Sequence, residues 1–129
     1  MGSNLHAQTI YTTINNGSYT SSSTWQGGNK PSKNLGNNKH VFIHHNVTLN
    51  DDLKIDGNGN TKVVVVGGSF DCNKGLEIKK GSFQAINSEI EFTDNVKADG
   101  SNVSIELENS CFIITKGNFD IVDGDGTFN

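Results

Sequence analysis

From His40 onward the chain is cut into apolar runs of three to five residues, each followed by a polar corner. The runs include Val41-Phe42-Ile43, Val47-Thr48-Leu49, Leu53-Lys54-Ile55, Val63 to Val66 and Ser69-Phe70-Asp71-Cys72. The corners are built from Asn, Gly, Asp and Lys, as in Gly67-Gly68 and Lys116-Gly117-Asn118. Strand starts recur mostly every seven residues. Hairpin proteins use strands of about five or six residues with a turn roughly every 8 to 12, so these runs are too short to pair well that way. Three strands and three corners make about 20 residues, which is one rung of a parallel β-helix. The spacing therefore predicts an all-β parallel β-helix. At ~4.8 Å per rung, the stretch from Val41 to Asn129 holds about four rungs and ~20 Å of solenoid. A β-sandwich is the second architecture left open.

Composition agrees with short strands and tight corners. The 129 residues include 18 Asn, 15 Gly, 12 Ser and 10 Thr, against 3 Ala, 6 Leu and no Arg. Helix-forming residues are scarce, while Val and Ile supply 20 of the 42 hydrophobic residues. Asn at a corner tolerates left-handed backbone and can stack on the residue of the next rung. A net charge of −4 and the missing arginine argue against nucleic acid. No apolar stretch is long enough for a membrane-spanning helix. Cys72 and Cys111, 39 residues apart, would stand about two rungs from each other. That is on the order of 10 Å, beyond disulfide reach, so both are expected free and facing inward.

The N-terminal third has a different texture. Met1-Gly2-Ser3 looks like a vector-derived start, and Asn4 to Gln8 resembles the tail of a signal peptide cleaved after Ala7. Residues 1–8 are therefore set apart from the fold, and an extracellular or cell-surface location after Sec-type export is expected. Residues 9–40 read as a strand and turn-rich capping loops, anchored by Tyr19 and the lone Trp25. Residues 41–129 are the rungs, with truncation expected at the C-terminal end.

Gly17-Ser18-Tyr19, Thr24-Trp25-Gln26-Gly27-Gly28, Pro31, Val41-x-Ile43, Val47-Thr48-Leu49 and Leu53-x-Ile55-x-Gly57 together resemble a known opening. It is that of exported solenoid proteins of the Bacteroidetes, and is loosely similar to the G8 domain of animal cell-surface proteins. The resemblance covers about residues 14 to 57. It implies an N-terminal cap on a right-handed parallel β-helix, and a parent protein with long repeats and type IX secretion. For activity it is nearly silent.

Candidate chemistry is sparse. His40, His44 and His45 are the densest group of potential ligands. His40 and His44 share a strand face but lie some 13 Å apart along it, too far for one ion to bridge easily. Asp123 and Asp125 in Asp123-Gly124-Asp125-Gly126 look like the start of a calcium loop without its closing carboxylate, and Asp56-Gly57-Asn58-Gly59-Asn60 has the same look. Turns are the expectation at both, with calcium as the weaker reading and no other cofactor. Glu77, Glu89, Glu91, Glu106 and Glu108 project with Lys54, Lys79, Lys80 and Lys97 as a polysaccharide lyase or hydrolase would require. Such residues are also usual on a soluble sheet surface. Tyr19 and Trp25 are candidate sugar-stacking residues if exposed, and plugs of the solenoid end if not.

The expected function is a non-catalytic structural or adhesive β-solenoid module of an exported bacterial surface protein. Carbohydrate binding is the alternative, with surface glycans or other surface proteins as partners. A polysaccharide-active enzyme and a self-assembling filament subunit, joined end to end through an open last rung, come behind.

Overall fold

The computed structural model describes residues 8–100, 102–122 and 127–128. Over that range the chain is strand and corner, with two short 3-10 turns at Ser22–Thr24 and Gln26–Gly28. The strands are β1 Thr9–Thr12, β2 Gly17–Ser18, β3 Asn34–Leu35, β4 Lys39–Ile43, β5 Asn46–Leu49, β6 Leu53–Asp56, β7 Lys62–Val66 and β8 Ser69–Cys72. They continue with β9 Leu76–Ile86, β10 Glu89–Phe92, β11 Val96–Asp99, β12 Val103–Glu108, β13 Cys111–Ile114, β14 Phe119–Val122 and β15 Thr127–Phe128.

The strands stack into three faces. The first is β1-β4-β7-β9-β12-β15, the second β2-β5-β8-β10-β13 and the third β3-β6-β9-β11-β14. β9 serves two faces, with Leu76–Ile78 on the third and Ser82–Ile86 on the first. All these ladders are parallel, and among the described residues the one antiparallel contact is the isolated Thr13–Trp25 bridge. Parallel stacking rules out the β-sandwich, whose sheets are antiparallel. The fold is a parallel β-solenoid of about four turns.

About four turns carry the chain through five strand levels, each of them a rung. Rung 1 is β1–β3, rung 2 is β4–β6, and rung 3 is β7, β8 and the start of β9. Rung 4 is the rest of β9 with β10 and β11, and rung 5 is β12–β14. On the second face Phe70 is level with Ile90 and Ile90 with Phe112, offsets of 20 and 22 residues. Residues 9–38 depart from the expectation of one strand and irregular chain. They supply β1, β2 and β3, each level with its counterpart in rung 2. Two-residue strands leave too little periodic signal to read in advance.

Alternation explains how so polar a chain builds a core. In β5 and β10 every second residue is buried, and the same columns recur rung after rung. Val41, Val63, Phe83 and Ile105 form one column, and Leu53, Leu76 and Val96 another. A continuous aromatic file runs along the lumen. Trp25 meets Tyr19 at 5.4 Å between ring centroids, Tyr19 meets Phe70 at 6.2 Å, and Phe70 meets Phe92 at 5.8 Å. Phe92 then meets Phe112 at 5.6 Å. Most of these contacts are edge-on, the arrangement aromatic quadrupoles favour.

The corners use asparagine twice over. Asn38, Asn87, Asn102 and Asn109 hold positive φ between 49° and 61°. Corner amides also link rungs: Asn58 donates to Asn38 at 3.0 Å, Asn73 to Asn50 at 2.9 Å and Asn109 to Asn87 at 2.7 Å. Gly81 turns the tight corner inside β9 with φ 129°, where a Cβ would stand 2.6 Å from the Thr61 carbonyl oxygen. Each hydrogen-bonded corner ties a rung to the next without needing a core of its own.

Phe70→Ala, at the middle of the aromatic file, is expected to cost roughly 3–5 kcal/mol in denaturant unfolding. Phe112→Ala, only partly buried in the last rung, is expected to cost clearly less. Equal losses at the two positions would contradict the packing described.

Candidate functional site

The two candidate stacking residues lie in the core. Tyr19 and Trp25 are both 0 % exposed. Trp25 Nε1 donates to the Tyr19 carbonyl oxygen at 2.9 Å, and the Tyr19 hydroxyl donates to the Ser32 carbonyl oxygen at 2.9 Å. Burial pushes the Tyr19 hydroxyl well above the ordinary tyrosine range. Neither ring offers a face to a sugar, so the stacking reading of Tyr19 and Trp25 is corrected by their packing. A buried tryptophan whose N–H has a main-chain acceptor is satisfied in a way that sequence alone does not reveal.

The cysteines divide. Cys72 is buried in β8, its thiol donating to the Asp51 carbonyl oxygen at 3.1 Å, and burial raises its pKa to about 11. Cys111 sits at an outward position of β13, level with Glu89 and Ser69, and is exposed. Both are free, as expected, but Cys111 does not face inward. The expectation failed because the 39-residue spacing spans neither one nor two whole rungs, and so says nothing about strand parity.

The histidines belong to a surface row. His40 and Phe42 line the outer side of β4 and His44 follows its end, with ring centroids 5.9 Å and 6.5 Å apart, and Phe42 stands between the two imidazoles. Desolvation, with help from the neighbouring Lys62 charge, lowers the His40 pKa, and its Nε2 is buried without a partner. His45 turns away to the Thr13 hydroxyl, 2.7 Å from its Nδ1. The Asp56–Asn60 corner is internally bonded. Asn60 N–H donates to Asn58 Oδ1 at 3.0 Å, and the Thr61 hydroxyl donates to the Gly36 carbonyl oxygen at 2.8 Å. Asp123 and Asp125 lie outside the described residues, as do residues 1–7 of the leader reading.

The carboxylates and lysines are sorted by face. Asp71, Glu89 and Glu91 lie on the second face, whose strands carry no lysine. Glu106 and Glu108 lie on the first face. Glu77 shares the third with Lys54, Lys79 and Lys97.

One feature went unnoticed in the sequence. A shallow groove of about 560 Å³ follows the corner between the first and second faces, over Gly67 and Gly68. Asn46, Asn87, Asn109, Ser69 and Glu89 line it. Those residues come from four successive passes of the chain through this corner, and only the rung register brings them into line.

No protein-family model matches the sequence, no curated protein matches it, and no solved structure matches it. What the chain does must therefore be argued from its own surface.

Under native conditions a thiol reagent at neutral pH is expected to label Cys111 within minutes and to leave Cys72 unmodified until denaturant is added. Two equally fast thiols would contradict the burial of Cys72.

Proposed function

We propose that this chain is a structural and adhesive module, a stiff β-solenoid through which an exported bacterial surface protein presents its flat faces. The observation that supports it most is the unbroken lumen. Inward side chains and corner amides tie every rung to the next, while the outward residues are free to vary without disturbing the stack. The motif around Trp25, with its resemblance to exported Bacteroidetes solenoids, supports the surface location and the export route. In this reading the protein turns over no substrate.

The test is retention under flow. Beads coated with the native chain are expected to hold to cell-surface-coated slides better than beads coated with the same chain unfolded and thiol-blocked. Equal retention would contradict an adhesive role for the folded faces.

Carbohydrate binding is the second reading, and the groove over Gly67 and Gly68 favours it. Amides, a hydroxyl and a carboxylate in a line are the polar groups that sugars use, and Asn46, Asn87, Ser69 and Glu89 provide them there. On a glycan array this reading expects selective binding that Glu89→Ala weakens at least tenfold. Binding that ignores Glu89→Ala would remove the groove as its site.

A further inference from the structure

The third face and the corner leading into it carry charges in a regular order. Lys54, Glu77, Lys97 and Asp120 occupy one outward column, each level with the next in the adjoining rung. The signs alternate at every step. One corner earlier, Asp51, Lys74, Asp94 and Lys116 follow in the same rungs, and their signs alternate too, in the opposite phase. Rung 1 extends this second column, because Lys33 forms an ion pair with Asp51. The hydrogen bond from Lys33 and then that from the Asp52 N–H, with a lesser pull from the Lys33 and Lys74 charges, hold the Asp51 carboxyl below its usual range. Two further pairs follow the rule in rungs 2 to 4: Asp56 is level with Lys80 across a register shift, and Asp99, next to Ala98 level with Ile78, stands beside Lys79, with the uncharged Val122 level with it in rung 5. Lys97 and Asp99 approach within 3.8 Å along one rung. Around the corner and across this face, opposite charges adjoin both along a rung and between rungs.

We infer that this checkerboard fixes which rung stacks on which. The lumen alone discriminates less, since Val, Leu, Ile and Phe recur at the inward positions of rungs 2 to 5. Leaving out one rung would set rung 2 against rung 4. The core would lose the Phe70 link of the aromatic file but would set Val47 over Ile90 and Leu53 over Val96, apolar on apolar. The outer columns would set like charge on like, because Asp51 would meet Asp94, Lys54 would meet Lys97 and Asp56 would meet Asp99. A two-rung period makes each native neighbour attractive and each displaced neighbour repulsive, which is the pattern that discriminates between them. This goes beyond the module's role at a surface and holds whatever that role is.

Lys97→Glu tests it. The substitution puts like charges against Glu77 and Asp120, and it makes the displaced pairing with Lys54 attractive. Its expected Tm loss is roughly 5 °C relative to Lys62→Glu, which makes the same change in net charge on the first face between His40 and Ser82. Lys97→Gln should fall between the two. Inverting the whole column with Lys54→Glu, Glu77→Lys, Lys97→Glu and Asp120→Lys restores alternation between rungs at unchanged net charge but loses the Lys97–Asp99 approach along the rung, and should recover part of the loss. In 1 M salt, where the screening length is ~3 Å, the differences should shrink. Register itself is read by Thr48→Cys with Glu91→Cys in a Cys111→Ser background. These positions are two rungs apart natively, on the order of 10 Å, so a disulfide on refolding reports the displaced stack. It is expected to form with Lys97→Glu and not without it. Equal Tm for Lys97→Glu and Lys62→Glu, no recovery on column inversion, or no disulfide with Lys97→Glu would each overturn the inference.

Discussion

Inward side chains stacked rung over rung along a narrow lumen are the contact on which everything else in this molecule depends. A single rung of about 20 residues cannot bury its apolar faces; only a neighbour above and below can do so. Each buried Val, Leu, Ile or Phe is worth about 1.5–3 kcal/mol relative to exposure. Short strands of two to six residues suffice in most rungs because the ladder, not the strand, supplies cooperativity. The aromatic file from Trp25 through Tyr19, Phe70 and Phe92 to Phe112 gives that lumen continuity from rung 1 to rung 5.

Inside and outside are thereby decoupled. Strand alternation commits half of the residues to the lumen and leaves the other half to the surface, so each face can carry its own chemistry. The first bears the His40, Phe42 and His44 row, the second bears Asp71, Glu89 and Glu91, and the third bears the alternating charges. The corner between the first and second faces has polar side chains at every level around the Gly67–Gly68 gap. A solenoid organised this way suits a display or adhesion module, where several surfaces are held in fixed relation by a shared core.

Much of the architecture was legible in the sequence, because seven-residue spacing of short apolar runs admits few alternatives. The corner asparagines were legible for the same reason, and Asn38, Asn87 and Asn109 hold left-handed backbone and amide links as that reasoning expects. What failed was register. Gly67-Gly68-Ser69-Phe70, Lys80-Gly81-Ser82-Phe83 and Lys116-Gly117-Asn118-Phe119 look like repeats of one phrase, yet they occupy three different corners of the solenoid. Without register, the parity of Cys111 could not be read, nor could the columns that make the groove or the charge checkerboard. Tyr19 and Trp25 were more legible. An aromatic pair in an Asn-rich loop reads as a plug of the solenoid end before it reads as a ligand platform, and the plug is what forms, with main-chain acceptors at Ser32 and Tyr19 for the two polar groups.

The measurement that reaches the central claim most directly is through-space NMR contact across the lumen. Parallel stacking in the register described expects the Ile90 methyls to contact both the Phe70 and the Phe112 ring, its neighbours in the rungs on either side. It also expects no close Hα–Hα pairs of the antiparallel kind between consecutive strands such as β4 and β5. Ile90 contacts to both rings would support the stacked solenoid. Strong Hα–Hα contacts between consecutive strands, with no contact from Ile90 to either ring, would contradict it.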